Sequence, residues 1–404
     1  MSEPLVIIGN GMAAARLVDE MARRALGRYA IAVVGEEPRL AYNRVLLSSL
    51  LADEVSASDV ELRSARWWRD RGVTLRYGSR AAALDLTARA VTLADGGRLA
   101  FSKAVIATGS RPMRLNIPGG DLAGVTTFRD IGDVAAMRMQ APPGTRVVVV
   151  GGGLLGLEAA HGLAKAGARV TLVHLMDRLM ERQLDPAAAG MLRRAVEARG
   201  VEVLLAAETT RMIGMRRVEA IELRDGRVIP ADLVVVAVGV RPNVAFAAQA
   251  GIAVNRGIVV DDALATSAHD VFAIGECAEH RGQCYGLVEP AYEQATVLAR
   301  RLAGQPATYP GSVPATNLKV SGVDVFSAGD FLGSPGSEQV VLHDPGLGVY
   351  RKLVIAHDRL VGAVLCGDAS DGPWYLDLIR SGQSVAASRD DLVFGRALAM
   401  RAVA

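Results

Sequence analysis

Leu5-Val6-Ile7-Ile8-Gly9-Asn10-Gly11-Met12-Ala13-Ala14 decides the fold. A short β-rich apolar run ends in glycines, a helical stretch from Met12 to Leu26 follows, and a second β run covers Ala30 to Val34. That order is a βαβ unit. The spacing Gly9-x-Gly11-x-x-Ala14 is the dinucleotide fingerprint with alanine as its third small residue. Gly9 makes the tight turn, Gly11 lets the backbone approach a pyrophosphate, and Ala14 lets helix pack closely on strand. The helix N-terminus then faces the phosphates. An acid about 20 residues on is expected to hold a ribose. Glu36 and Glu37 stand at the end of the second β run, and Glu37 is the preferred candidate.

The same grammar returns about 140 residues later. Arg146 to Val150 meets Gly151-Gly152-Gly153, Leu154 to Ala166 reads as a helix, and Ala168 to Val173 reads as a strand. Gly151-x-Gly153-x-x-Gly156 is the full fingerprint, with Glu158 two residues on. Each copy can nucleate its own doubly wound sheet. After the second strand, an acid would indicate NAD and a basic group NADP, but His174 stands there. Several readings stay open. His174 could stack on or bond the adenosine, Asp177 could bond a ribose, Arg178 and Arg182 could meet a 2′-phosphate, or His174 has no ligand role. Ala107-Thr108-Gly109-Ser110-Arg111-Pro112 follows an apolar strand, and Val238-Gly239-Val240-Arg241-Pro242-Asn243 echoes it. Such small-residue turns let backbone pass close to a cofactor.

Elsewhere the chain is less explicit. Val91 to Leu99 alternates with glycine turns and reads as part of a small β-meander. Gly304 to Pro314 reads as a linker, and the segments Tyr350 to Ile355, Leu360 to Leu365 and Pro373 to Ser381 beyond it suggest a third domain of mixed α/β grammar. The 404 residues are half apolar, with 45 Lys plus Arg against 43 Asp plus Glu. That balance gives no long-range pull toward nucleic acid or an anionic membrane. No apolar run approaches the ~18 residues of a membrane span, and the N-terminus does not read as a signal peptide, so a cytoplasmic address is expected. Cys277, Cys284 and Cys366 contain no C-x-x-C pair, which argues against a redox disulfide of that type or a metal site. The scattered histidines and the Trp67-Trp68 pair read as packing residues.

Together these motifs resemble the FAD-dependent pyridine-nucleotide oxidoreductases of glutathione-reductase-like architecture. A narrower resemblance is to the flavin half of NAD(P)H nitrite reductase large subunits and to assimilatory nitrate reductase electron-transfer subunits. Tyr42-Asn43-Arg44, His174-Leu175-Met176-Asp177, Met180-Glu181-Arg182-Gln183-Leu184-Asp185-Pro186 and Ile274-Gly275-Glu276-Cys277-Ala278-Glu279-His280-Arg281-Gly282 carry it. The resemblance implies an α/β fold with two doubly wound Rossmann-like domains and a C-terminal α+β interface domain. The FAD domain would be 1–114 with 243–310, the NAD(H) domain 115–242, and the interface domain 311–404. It implies that Gly275-Glu276 contacts the FAD, that Arg44 lies against the flavin, and that Glu158 helps place the nicotinamide; Arg44 and Glu158 are thus the candidate catalytic residues. Glu289 and Glu293-Gln294 would flank the flavin ring, and Lys319 would lie near its face. Expected cofactor-binding residues are therefore Gly9, Gly11, Ala14, Glu37, Arg44, Thr108, Gly109, Arg111, Gly151, Gly153, Gly156, His174, Gly239, Gly275, Glu276 and Glu293.

The resemblance implies FAD and NADH as cofactors, with NADPH possible, and hydride transfer between them. Two departures matter. Ser49 stands where ferredoxin- and rubredoxin-reductase relatives carry lysine, and no cysteine lies in that helix for disulfide or sulfenate chemistry. Three cysteines also cannot build the iron–sulfur and sirohaem half of a full nitrite reductase. The expected partner is then an iron–sulfur or molybdenum-containing nitrate or nitrite reductase catalytic subunit, with the chain itself a monomer or homodimer. The alternatives are a stand-alone NADH oxidase, a rubredoxin or ferredoxin reductase, and an NADH-responsive FAD-binding protein without turnover.

Overall fold

The computed structural model describes residues 2–25, 27–320 and 323–400. The chain divides into two compact units. One comprises Met1–Leu47, Val55–Arg111 and Val240–Ser312; the other comprises Ser48–Glu54, Pro112–Gly239 and Val313–Ala404.

The first unit is built on a five-stranded parallel sheet in the order Val271–Ala273, Lys103–Ile106, Glu3–Ile8, Tyr29–Gly35, Thr74–Tyr77. Leu5 to Ile8 are all buried. They form a continuous apolar run because the sheet is covered, with the meander residues Leu84, Val91 and Leu93 sharing its core. The helices Met12–Arg24 and Val288–Leu302 pack against each other and supply much of the cover. The meander is there as a three-stranded antiparallel sheet, Ala81–Asp85, Ala90–Leu93 and Arg98–Ala100.

The second unit repeats the plan. Its parallel sheet runs Val201–Leu204, Arg169–Val173, Arg146–Val150, Leu233–Val236, Val125–Thr127. In both sheets the first strand of the βαβ unit lies inside, with strand order reversing about it. That reversal opens a crevice at the carboxyl ends, where doubly wound sheets bind ligands.

The same unit holds a five-stranded antiparallel sheet, Ala315–Val320, Val323–Gly329, Arg359–Gly367, Val349–Ala356, Glu338–Asp344, with the helix Gly372–Ser381 packed on it. Phe326, Leu353, Leu365 and Tyr375 form its core. Asp185 joins this sheet to the helix Pro186–Glu197. It caps the helix Pro186–Glu197 by accepting from Ala188 N–H at 3.1 Å, and the Tyr350 hydroxyl donates to its Oδ2 at 2.5 Å. Lys352 Nζ stands 3.8 Å from the same oxygen. All three side chains are buried. Among the described residues no helix is long and apolar enough to cross a membrane.

Candidate functional site

In the first unit the strand Glu3–Ile8 delivers Gly9 at φ +118°, where its N–H donates to Val34 O at 2.7 Å. A Cβ on Gly9 would lie 2.1 Å from Ala107 O, so only glycine fits this close approach. Gly11 is the N-cap of Met12–Arg24, with no side-chain capping bond and nothing within 4 Å of a Cβ position. Uncapped N–H groups in front of open space make a cradle for an anion. Ala14 is fully buried in the helix–sheet contact.

Glu37 follows the end of the second strand and is held by two residues of the following turn. The Tyr42 hydroxyl donates to its Oε2 at 2.7 Å, and the Arg44 guanidinium pairs with Oε1 while lying over the Tyr42 ring. Arg44, expected against the flavin ring, therefore sits on the acid expected to hold the adenosine ribose. Thr108 and Gly109 belong to a turn locked by Asn243. Thr108 Oγ1–H donates to Asn243 O at 3.0 Å, Asn243 Nδ2 donates to Thr108 O at 2.9 Å, and Asn243 N–H donates to Gly109 O at 2.9 Å. Arg111 is exposed.

Gly275 adopts φ +80°, and its N–H donates to Oε1 of the buried Gln294 at 2.7 Å. Glu276 accepts from Ser110 Oγ at 2.8 Å. Glu293, expected beside the cofactor, has a partner within its own unit. Its carboxylate accepts from Ser312, whose Oγ lies 2.5 Å from the Tyr309 hydroxyl. It therefore anchors the segment read as a linker, where Tyr309 is buried with its ring against His280. Cys277 is fully buried, and desolvation pushes its thiol pKa up, so it is an inert packing residue. The Lys319 side chain lies outside the described residues.

The second unit carries the second cradle. Gly151 stands at φ +121°, and a Cβ on Gly156 would lie 1.8 Å from Gly151 O. Gly153 is the N-cap of Leu154–Lys165 with no side-chain cap and an open Cβ position. Gly239, at φ +113°, accepts from Met113 N–H at 2.9 Å. Glu158 lies on the cradle's helix with no hydrogen-bond partner among the described residues. It keeps some surface exposure, but its carboxyl is set deeply enough for desolvation to push it up to about 7. His174 is buried, with both ring nitrogens paired inside the unit, to Gly152 N–H at 3.0 Å and to Glu181 at 3.1 Å. It is neither a surface residue nor a free hydrogen-bonding partner for an adenosine.

Sequence reading gave no role to Asn243 or Glu181. Only the echo between the two small-residue turns pointed to Asn243. Both cradles fit dinucleotides, since each offers uncapped helix N–H groups to open space beside a glycine that allows backbone approach.

The family model for pyridine nucleotide-disulphide oxidoreductases matches residues 3–297, and that for the rubredoxin NAD+ reductase C-terminal domain matches residues 314–383. The chain is 43% identical over 378 residues to the nitrite reductase [NAD(P)H] of Bacillus subtilis (strain 168), covering 93% of this chain and 47% of that protein. It is 39% identical over 390 residues to the assimilatory nitrate reductase electron transfer subunit of the same strain, covering 96% and 51%. The chain thus spans about half the length of these curated relatives. The reductase in the covalent putidaredoxin reductase–putidaredoxin complex superposes with a TM-score of 0.89 at 25% identity, covering 99% of this chain and 98% of that one.

Proposed function

This chain belongs to the pyridine nucleotide-disulphide oxidoreductase family and is an FAD-dependent NAD(P)H oxidoreductase, and from that premise we propose that it oxidises NADH and passes the electrons singly to a separate iron–sulfur or molybdenum-containing nitrate or nitrite reductase catalytic subunit in the cytoplasm. The observation that carries this reading is a pair of open dinucleotide cradles, at Gly11 and Gly153, on a chain whose three cysteines are all free. Two cofactors are accommodated, and no disulfide is present to receive the electrons. Free cysteines also suit a reducing compartment.

The bound cofactors supply the chemistry, hydride donation from the nicotinamide to a flavin able to release electrons one at a time. The chain's residues bind and orient. Gly9, Gly11 and Ala14 hold the FAD pyrophosphate at the helix N-terminus, Glu37 takes the adenosine ribose, and Arg44 fixes that carboxylate. The turn at Thr108 and Gly109, braced by Asn243, and the Gly275-Glu276 turn, braced by Gln294 and Ser110, shape the rest of the flavin site. Gly151, Gly153 and Gly156 would hold the nicotinamide dinucleotide, and Glu158 would help place its nicotinamide end. Glu158 and Arg44 thus act by positioning.

A second reading, a reductase of a small rubredoxin- or ferredoxin-like protein, is favoured by the C-terminal match at residues 314–383. The test is reoxidation of the NADH-reduced protein. Rapid reoxidation by a purified iron–sulfur nitrite or nitrate reductase subunit, with slow reaction toward dioxygen and rubredoxin, is expected. Fast turnover with dioxygen alone would replace the reading with an NADH oxidase.

A further inference from the structure

His174 occupies the place where a carboxylate ordinarily meets the adenosine ribose of NAD, yet its ring faces inward. A Cβ on Gly152 would come within 2.7 Å of the ring, so His174 is pressed flat against the phosphate loop. Gly152 N–H donates to Nδ1 at 3.0 Å, so Nδ1 carries a lone pair and the neutral ring holds its proton on Nε2. That Nε2–H donates to Glu181 Oε2 at 3.1 Å. Gly152 O in turn accepts from Met180 N–H at 3.0 Å. Met180 is fully buried in a left-handed turn, φ +50°, that leads directly into Glu181. The segment after the strand is thus folded back on the loop, and it delivers a carboxylate beside the position His174 vacates. The Glu181 side chain is 23% exposed against 10% for His174, and it has no other partner among the described residues. The rival acid, Asp177, is paired with Arg178 at 3.0 Å and points largely into solvent.

We propose that Glu181 is the carboxylate that accepts the hydroxyls of the adenosine ribose of the nicotinamide cofactor, and that it sets a preference for NADH over NADPH. His174 is a positioning residue that aims it and holds Gly152. The ribose diol offers two O–H donors, and Glu181 keeps an oxygen free to accept them. A 2′-phosphate removes one donor and sets a second anion against the carboxylate. The inference rests on residues 151–156 being the nicotinamide cradle.

The test uses the full FAD-loaded chain and calorimetric titration with ADP-ribose and 2′-phospho-ADP-ribose, which bind without turnover. Wild type should bind ADP-ribose at least about tenfold more tightly. Glu181→Gln keeps an oxygen for His174 but removes the charge. It should lose about tenfold in ADP-ribose affinity and narrow the gap between the analogues, and it should raise KM for NADH with little change in kcat. Unchanged affinities in Glu181→Gln, or equal losses for both analogues, would overturn the ribose assignment. Failure of wild type to bind either analogue would instead remove the cradle reading, and this inference with it.

Discussion

Glu158→Gln tests whether the carboxyl on the second cradle's helix, proposed to place the nicotinamide, is held at an energetic cost for a functional reason. Burial raises the Glu158 carboxyl from 4.5 to about 7. At about 1.4 kcal/mol per pH unit, that is a penalty of roughly 3 kcal/mol for the ionised form, an upper figure because the group keeps some exposure. The folded state binds the extra proton, so the contribution is fully favourable below pH 4.5 and is lost as pH rises through about 7. Wild type should therefore lose stability across this window relative to Glu158→Gln, which carries no charge. Urea unfolding of both proteins from pH 4.5 to pH 8 reads the difference directly. The variant should be the more stable at pH 8 by up to about 3 kcal/mol, yet bind NADH about tenfold or more weakly there because a charge-assisted hydrogen bond is lost. Parallel stability curves at every pH would refute the buried carboxyl, and unchanged NADH affinity would refute its place beside the nicotinamide.

Other outcomes follow from individual contacts. Gly9→Ala would drive a Cβ to 2.1 Å from Ala107 O and should cripple folding of the FAD unit, whereas Gly11→Leu meets only open space and should give a folded protein that elutes without FAD; absorbance and circular dichroism separate the two. Asp185→Ala removes a helix cap and leaves Lys352 and Tyr350 buried without their carboxylate, a loss of about 3–5 kcal/mol in chemical denaturation. Native alkylation at pH 8, read by mass spectrometry, should spare the buried Cys277 and Cys366 and label the half-exposed Cys284 slowly, since burial raises all three thiols.

Much of the architecture was legible because the two glycine fingerprints are local. Gly9 and Gly151 must stand at positive φ against a neighbouring carbonyl, and that demand is visible in a few consecutive residues. The strand end just before Glu36 and Glu37 was legible too. Side-chain direction was not. A turn that places Tyr42 and Arg44 on Glu37 carries no periodic signal. The His174 orientation depends on the void left by Gly152, and the Glu293 anchorage depends on Ser312, 19 residues away. Gln294 and Gly275 meet only once helix and strand are packed. The C-terminal sheet was half seen. Val349–Ala356 and Arg359–Gly367 are apolar central strands, whereas the edge strand Glu338–Asp344 is largely exposed and its sequence shows little patterning.

The central claim is that this single chain holds both cofactors and moves hydride between them. Anaerobic stopped-flow mixing of the purified yellow protein with NADH and with NADPH tests it most directly. Rapid bleaching of the flavin by NADH, slower by NADPH, is the predicted result. A flavin that stays oxidised with both nucleotides would contradict the account and leave an FAD-binding protein whose second cradle serves another purpose.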